Sequence, residues 1–121
     1  MIEQAYKQLL ETVTELEVTP IFTSGPFPAV TYKSTSIQGG TVRKDQLEVR
    51  IIGNDLDELI EIRDKVIDLL DMEEERPSIS MNGYVIRSNL SGGGYLFNSE
   101  INMWELYPIF TTIWRYENEQ K

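Results

Sequence analysis

The spacing of apolar residues changes several times along this chain, and each change marks an element. Over residues 2–16, Ile2, Ala5, Tyr6, Leu9, Leu10, Val13 and Leu16 recur at intervals of three and four, with Glu3, Lys7, Gln8, Glu11 and Thr12 opposite. That is an amphipathic helix with one face laid on other structure, and Pro20 ends anything helical before it. Gly25-Pro26 and Phe27-Pro28 then mark a rigid loop. A strand follows over 29–35, with Val30 and Tyr32 on one face and Thr31 and Lys33 on the other. Residues 36–45, SIQGGTVRKD, have no core pattern and read as an exposed, mobile connection or the tip of a long hairpin.

Residues 46–71 form the organising stretch. Leu47, Val49 and Ile51 alternate with Gln46, Glu48 and Arg50 in a strand over 45–52, and the period then switches to helical across Gly53-Asn54. Asn54 or Asp55 is placed to cap the helix, and acids in its first turn suit the positive end of its dipole. Leu56, Leu59, Ile60, the Arg63 stem, Val66, Ile67 and Leu70 make the inward stripe, and Glu61 and Lys65 are spaced for an ion pair outside.

Beyond Pro77, 78–81 and 84–90 flank Asn82-Gly83, a strong hairpin signal. Tyr84, Ile86, Ser88 and Leu90 share one face there. The next stretch, SGGGYLFNSE, reads as a second glycine-rich loop carrying Tyr95, Leu96 and Phe97. The last strand covers 102–116, with Trp104, Leu106, Phe110, Trp114 and Tyr116 on one parity; Pro108 inside it predicts a bulge or local edge exposure. The tail at 117–121 is expected to fray. Together the elements predict a single α+β domain over 1–121. Two helices cover one face of a mostly antiparallel four-stranded sheet, in the order α-β-β-α-β-β with a small extra hairpin.

Composition narrows the chemistry. Without Cys or His the chain cannot build a histidine- or thiol-based catalytic centre or a structural zinc site from its own residues. The amino terminus lacks the basic and apolar regions of a secretory signal and no apolar run is long enough to span a bilayer, so a soluble protein made in the cytosol is expected. The formal charge of -9 is the wrong sign for general attraction to nucleic acid or anionic lipid. Between 53 and 76 ten acids stand against three bases, so the second helix and its tail hold most of that charge.

Each chemical constellation has a plainer reading. Asp55, Asp57, Glu58, Glu61 and Asp64 are interrupted at helical spacing by Leu56, Leu59 and Ile60, which fits a solvated helix face and not a calcium loop. Ser91 and the three glycines after it lack the spacing and the following helix of a phosphate-binding loop. Asp45, Glu48 and Glu105 are the candidates for a carboxylate hydrolase. Nothing in the sequence buries or pairs them, and they read as outward-facing partners for Arg50, Arg87 and Arg115. No catalytic residue, cofactor or metal ligand is therefore expected. The two glycine-bearing stretches, 36–44 and 91–98, are the candidate contact regions: Gln38, Gly39 and Gly40 in the first, Gly92, Gly93, Gly94, Tyr95 and Phe97 in the second.

An amino-terminal helix, FPAVTY after a Gly-Pro loop, LEVRIIG leading into a helix that ends VIDLLD, and the late strand WELYPIFTTIWRYE occur here in that order. This pattern, spanning about 2–116, resembles the tail terminator and tail completion proteins of long-tailed bacteriophages and prophages. The resemblance implies a non-enzymatic virion protein, made in the host cytoplasm, that caps the tail tube and presents the surface for head-tail joining. It implies a hexameric ring around the DNA channel, with the tail-tube protein and a head-completion or connector protein as partners and no sequence-specific nucleic-acid contact. Another neck component such as a head-tail connector is the nearest alternative, and a carboxylate hydrolase or a protein-binding adaptor lies further off.

Overall fold

The computed structural model of the chain describes residues 1–21, 23 and 25–117, so the expected fraying of the tail falls almost wholly outside the described residues. Helix α1 (Ile2–Thr14) ends two residues before the apolar pattern does, because Glu15 takes a left-handed φ of 60°. Thr14 Oγ1 bonds back to the Leu10 carbonyl, and the Glu11 carboxylate accepts from the Val18 N–H at 3.1 Å, which turns the chain into the sheet.

Strands β1 (Val18–Pro20), β2 (Ala29–Gln38) and β3 (Arg43–Gly53) precede helix α2 (Leu56–Leu70); β4 (Ile79–Met81), β5 (Tyr84–Asn98) and β6 (Met103–Tyr116) follow it. All six strands form one sheet in the order β1-β2-β3-β6-β5-β4, curled into a half-barrel. β1 runs parallel to β2, and every other pair is antiparallel.

This corrects the predicted four-stranded sheet and its α-β-β-α-β-β order. Three-residue β1 is too short to show a period and ends at Pro20, yet it pairs through Val18, Thr19 and Pro20 with residues 30–32. The small hairpin is no appendage, since Ile79 and Met81 pair with Ile86 and Tyr84 as the far edge strand. The glycine-rich stretch 91–98 is a strand and not a loop: it continues β5 and stays in register with β6 from Gly92 opposite Ile109 to Asn98 opposite Met103. Glycine is required there by contact. Gly93 has φ +133°, and a Cβ on it would lie 2.5 Å from the Tyr107 carbonyl oxygen.

Pro108 sits buried in a central strand, not at an edge. Pairing with β3 lapses between Glu48–Ile109 and Ile51–Leu106, where Pro108 has no N–H to give. On the other side, β5 absorbs the irregularity by a bulge at Ser91, between Leu90 and Gly92. The connection at 36–44 proves to be the tip of a long β2–β3 hairpin, with a second bulge between Ser36 and Gln38.

Both helices cover the same face of the sheet. Leu47, Val49 and Ile51 of β3, Leu106 and Phe110 of β6, and Ile86 of β5 meet Tyr6, Leu10, Leu59, Val66 and Leu70 in one core. Each such large apolar side chain contributes about 1.5–3 kcal/mol by leaving water. Asp55 caps α2 by accepting from the N–H groups of Asp57 and Glu58, at 3.1 and 3.3 Å. The expected stripe holds, with Ile62 added and Ile60, Ile67 and Leu56 only partly covered. The predicted Glu61–Lys65 pair is absent among the described residues; Arg63 turns to Asp64 instead, at 3.3 Å.

Candidate interaction surfaces

The sheet divides the three candidate acids between its faces. Asp45 lies opposite Thr112 on the helix side, whereas Glu105 lies opposite Ile52 on the other. Both are buried, at 4% and 6% exposure, which corrects the expectation of outward-facing surface acids. Asp45 shares the parity of Leu47, Val49 and Ile51, so alternation itself carries it inward. Its Oδ2 accepts from Tyr6 Oη and from Trp114 Nε1, each at 2.8 Å. Because the single Tyr6 hydroxyl proton goes to Asp45, Thr112 Oγ1, 2.6 Å away, is the donor to Tyr6. Burial chiefly pushes the Tyr6 hydroxyl far above the usual phenol range, so it stays a donor. The Arg43 guanidinium lies 5.0 Å from the ring centres of both Trp114 and Tyr116.

On the open face, Arg50 bridges Glu48, at 3.0 Å, and Glu105. Asn98 Nδ2 donates to the other Glu105 oxygen at 2.8 Å, and the Arg50 guanidinium lies 5.2 Å from the Tyr107 ring centre. Burial acts to raise the Glu105 pKa, but the bonds from Asn98 and Arg50 outweigh it, and the carboxyl ends below its ordinary range. A glycosidase-type acid must instead hold its proton near neutrality. With Asp45 across the sheet and Glu48 and Glu105 both bound to one arginine, no acid-base pair is assembled. Among the described residues, neither Arg87 nor Arg115 binds a carboxylate. Arg87 clamps the chain after α2 by donating to the carbonyls of Glu73 and Arg76, and Arg115 reaches the Tyr116 carbonyl.

A cleft of about 430 Å³ opens beside this network, lined by Ile21, Lys33, Ile52, Asn98 and Ile101 together with Arg50. Sequence periodicity missed it because Ile21 and Ile101 lie outside any regular element. The acids Asp55, Asp57, Glu58, Glu61 and Asp64 are all exposed along α2. Among the described residues no group of three or more acids is placed to hold a metal ion, and no helix is long and apolar enough to cross a membrane.

The residues singled out as contacts fall at two separate places. Gln38, Gly39 and Gly40 are exposed at the β2–β3 tip, whereas Gly92, Gly93, Gly94, Tyr95 and Phe97 lie along β5 on the other side of the sheet. Within one molecule the two groups do not form a single site. Phe97 stands edge-on to Trp104 at 5.2 Å, and Tyr95 lies 6.3 Å from the same ring. Between β5 and α2 runs a groove of about 250 Å³ lined by Arg63, Ile67, Leu90, Gly93, Tyr95 and Pro108.

No family model matches the sequence, and no curated protein matches it. Solved structures do share the fold. One is a chain of the virion of a native gene transfer agent particle, superposing with a TM-score of 0.63 at 13% identity over 90% of each chain. At that identity the likeness is one of fold, and it spans nearly the full length of both chains.

Proposed function

We propose that this chain is a non-enzymatic structural protein of a phage-like virion. It ends the tail tube as a ring and forms the surface at which head and tail join. The observation that carries the reading is the fold match to a virion chain over 90% of both lengths. The proposal draws further support from the fate of the acids, which are tied up in the core or in an ion-pair network and build no acid-base pair. The acidic outer face of α2 suits a protein near a DNA channel that must not hold DNA tightly. Its partners are then further copies of itself, the tail-tube protein and a head-completion or connector protein, and its place is the neck of the particle.

Electron microscopy of the purified chain mixed with tail tubes of its own phage, with mass measurement across concentration, tests this directly. The expected result is a closed ring seated on one end of each tube. A ring that binds the head portal and ignores the tube would make it a connector. A chain that joins neither tube nor portal would overturn the structural reading.

A further inference from the structure

We propose that neighbouring copies join by strand addition, with the outer edge of β2 at 33–38 in one copy lying antiparallel along the outer edge of β5 at 91–98 in the next. This rests on the ring reading above and names the contact that closes the ring.

The sheet leaves these two lengths of edge open. β1 covers β2 only at 30–32, with one further bond from the Ile21 N–H to the Tyr32 carbonyl. On the other side β4 covers 84–86, the Met72 N–H reaches the Ser88 carbonyl, and the Asp71 side chain accepts from the Leu90 N–H. Beyond these points no main-chain partner among the described residues reaches the outside of either strand.

Their directions match. From β2 through β3 and β6 to β5 every pairing is antiparallel, so β2 and β5 run oppositely. A second copy set beside the first, with helices on the same face, therefore offers its β2 antiparallel to the first copy's β5, and the sheet continues unbroken. The contact is heterologous, the kind that closes into rings. The open lengths sit at opposite ends of the strands, 33–38 level with residues 109–113 of β6 and 91–98 level with 103–109. Successive copies are thus staggered, as strands of a closed barrel must be.

The chemistry also matches. Natural sheets protect free edges with charge or proline, yet 91–98 carries neither, and Tyr95, Leu96 and Phe97 are 65%, 40% and 49% exposed. The β2–β3 hairpin brings exposed Ile37 and Val42, and residues 33–44 hold three bases, Lys33, Arg43 and Lys44, with no acid. Two basic hairpin edges would repel each other, whereas 91–98 carries no charge, which favours this pairing over two like hairpin edges.

The chain has no cysteine, so single-cysteine variants test the contact cleanly. Thr35→Cys and Leu96→Cys, both on the open face, are purified separately and treated with a short bifunctional thiol reagent. The mixture is expected to give at least about tenfold more dimer than either variant alone, as a contact between unlike edges requires. Tyr95→Lys, placing a charge on the edge, is expected to weaken association about tenfold or more while leaving the circular dichroism of the monomer unchanged. Equal self-linking by Thr35→Cys, a ring without the mixed crosslink, or a chain that stays monomeric to its solubility limit would each overturn the contact. A ring that seats on tail tubes without the mixed crosslink would overturn this contact alone. The mixed crosslink in a ring that ignores tubes and portals would overturn the functional reading alone.

Discussion

Asp45 and Glu105 belong to adjacent central strands and are almost equally hidden, but the two faces of the sheet use them differently. Under α1, Asp45 meets neutral donors only, a tyrosine hydroxyl and an indole N–H, which fix the helix to the sheet at one point. On the open face Glu105 meets a cation that it shares with Glu48, at the wall of a cleft. The first carboxylate is a structural anchor sealed from solvent. The second belongs to a surface network that holds the turn end of the β5–β6 hairpin through Asn98. Burial alone therefore does not mark a chemical site; the partners decide what a buried acid does.

Removing the sealed anchor has the largest expected effect. Asp45→Ala leaves the Tyr6 hydroxyl and the Trp114 N–H without their acceptor and opens a cavity, and it is expected to destabilise the fold by about 3 kcal/mol. Urea denaturation followed by tryptophan fluorescence measures it. Arg50→Met should cost less, about 1–2 kcal/mol, because its side chain is a third exposed and water takes up part of the loss. If Arg50→Met proved as damaging as Asp45→Ala, the open-face network would be an anchor of the same kind.

The legible parts of this fold were those with a sustained period. Both helices, the alternation in β3 and the long aromatic strand β6 lie where apolar spacing placed them. The same alternation put Asp45 in the row of Leu47, Val49 and Ile51, and Thr112 in that of Phe110 and Trp114. Their burial was written there for a reader who let parity overrule the charge. Composition misled at 91–98, because glycine signals a turn locally. Here it serves the close approach of Tyr107 and Pro108, a contact set by the pairing with β6. Three-residue β1 and the cleft residues Ile21 and Ile101 carry no local signal at all, since their positions follow from the register of the completed sheet.

The finest test of the difference between faces is pH. Glu105 titrates below its ordinary range in the folded protein because Asn98 and Arg50 hold its charged form more strongly than burial opposes it. A carboxyl depressed on folding adds stability that is fully present above its unfolded pKa, about 4.3, and that disappears as pH falls through the lower folded value. Glu105→Gln keeps the shape and removes the charge, so it should cost about 1 kcal/mol at pH 7. That cost should shrink steadily as pH drops below about 4.3, since the native side chain is then neutral as well. Urea midpoints of the two proteins, measured from pH 7 downward, should converge. Parallel curves would mean that Glu105 acts through its shape and neutral hydrogen bonds, as a sealed anchor would, and the distinction between the two faces would fall.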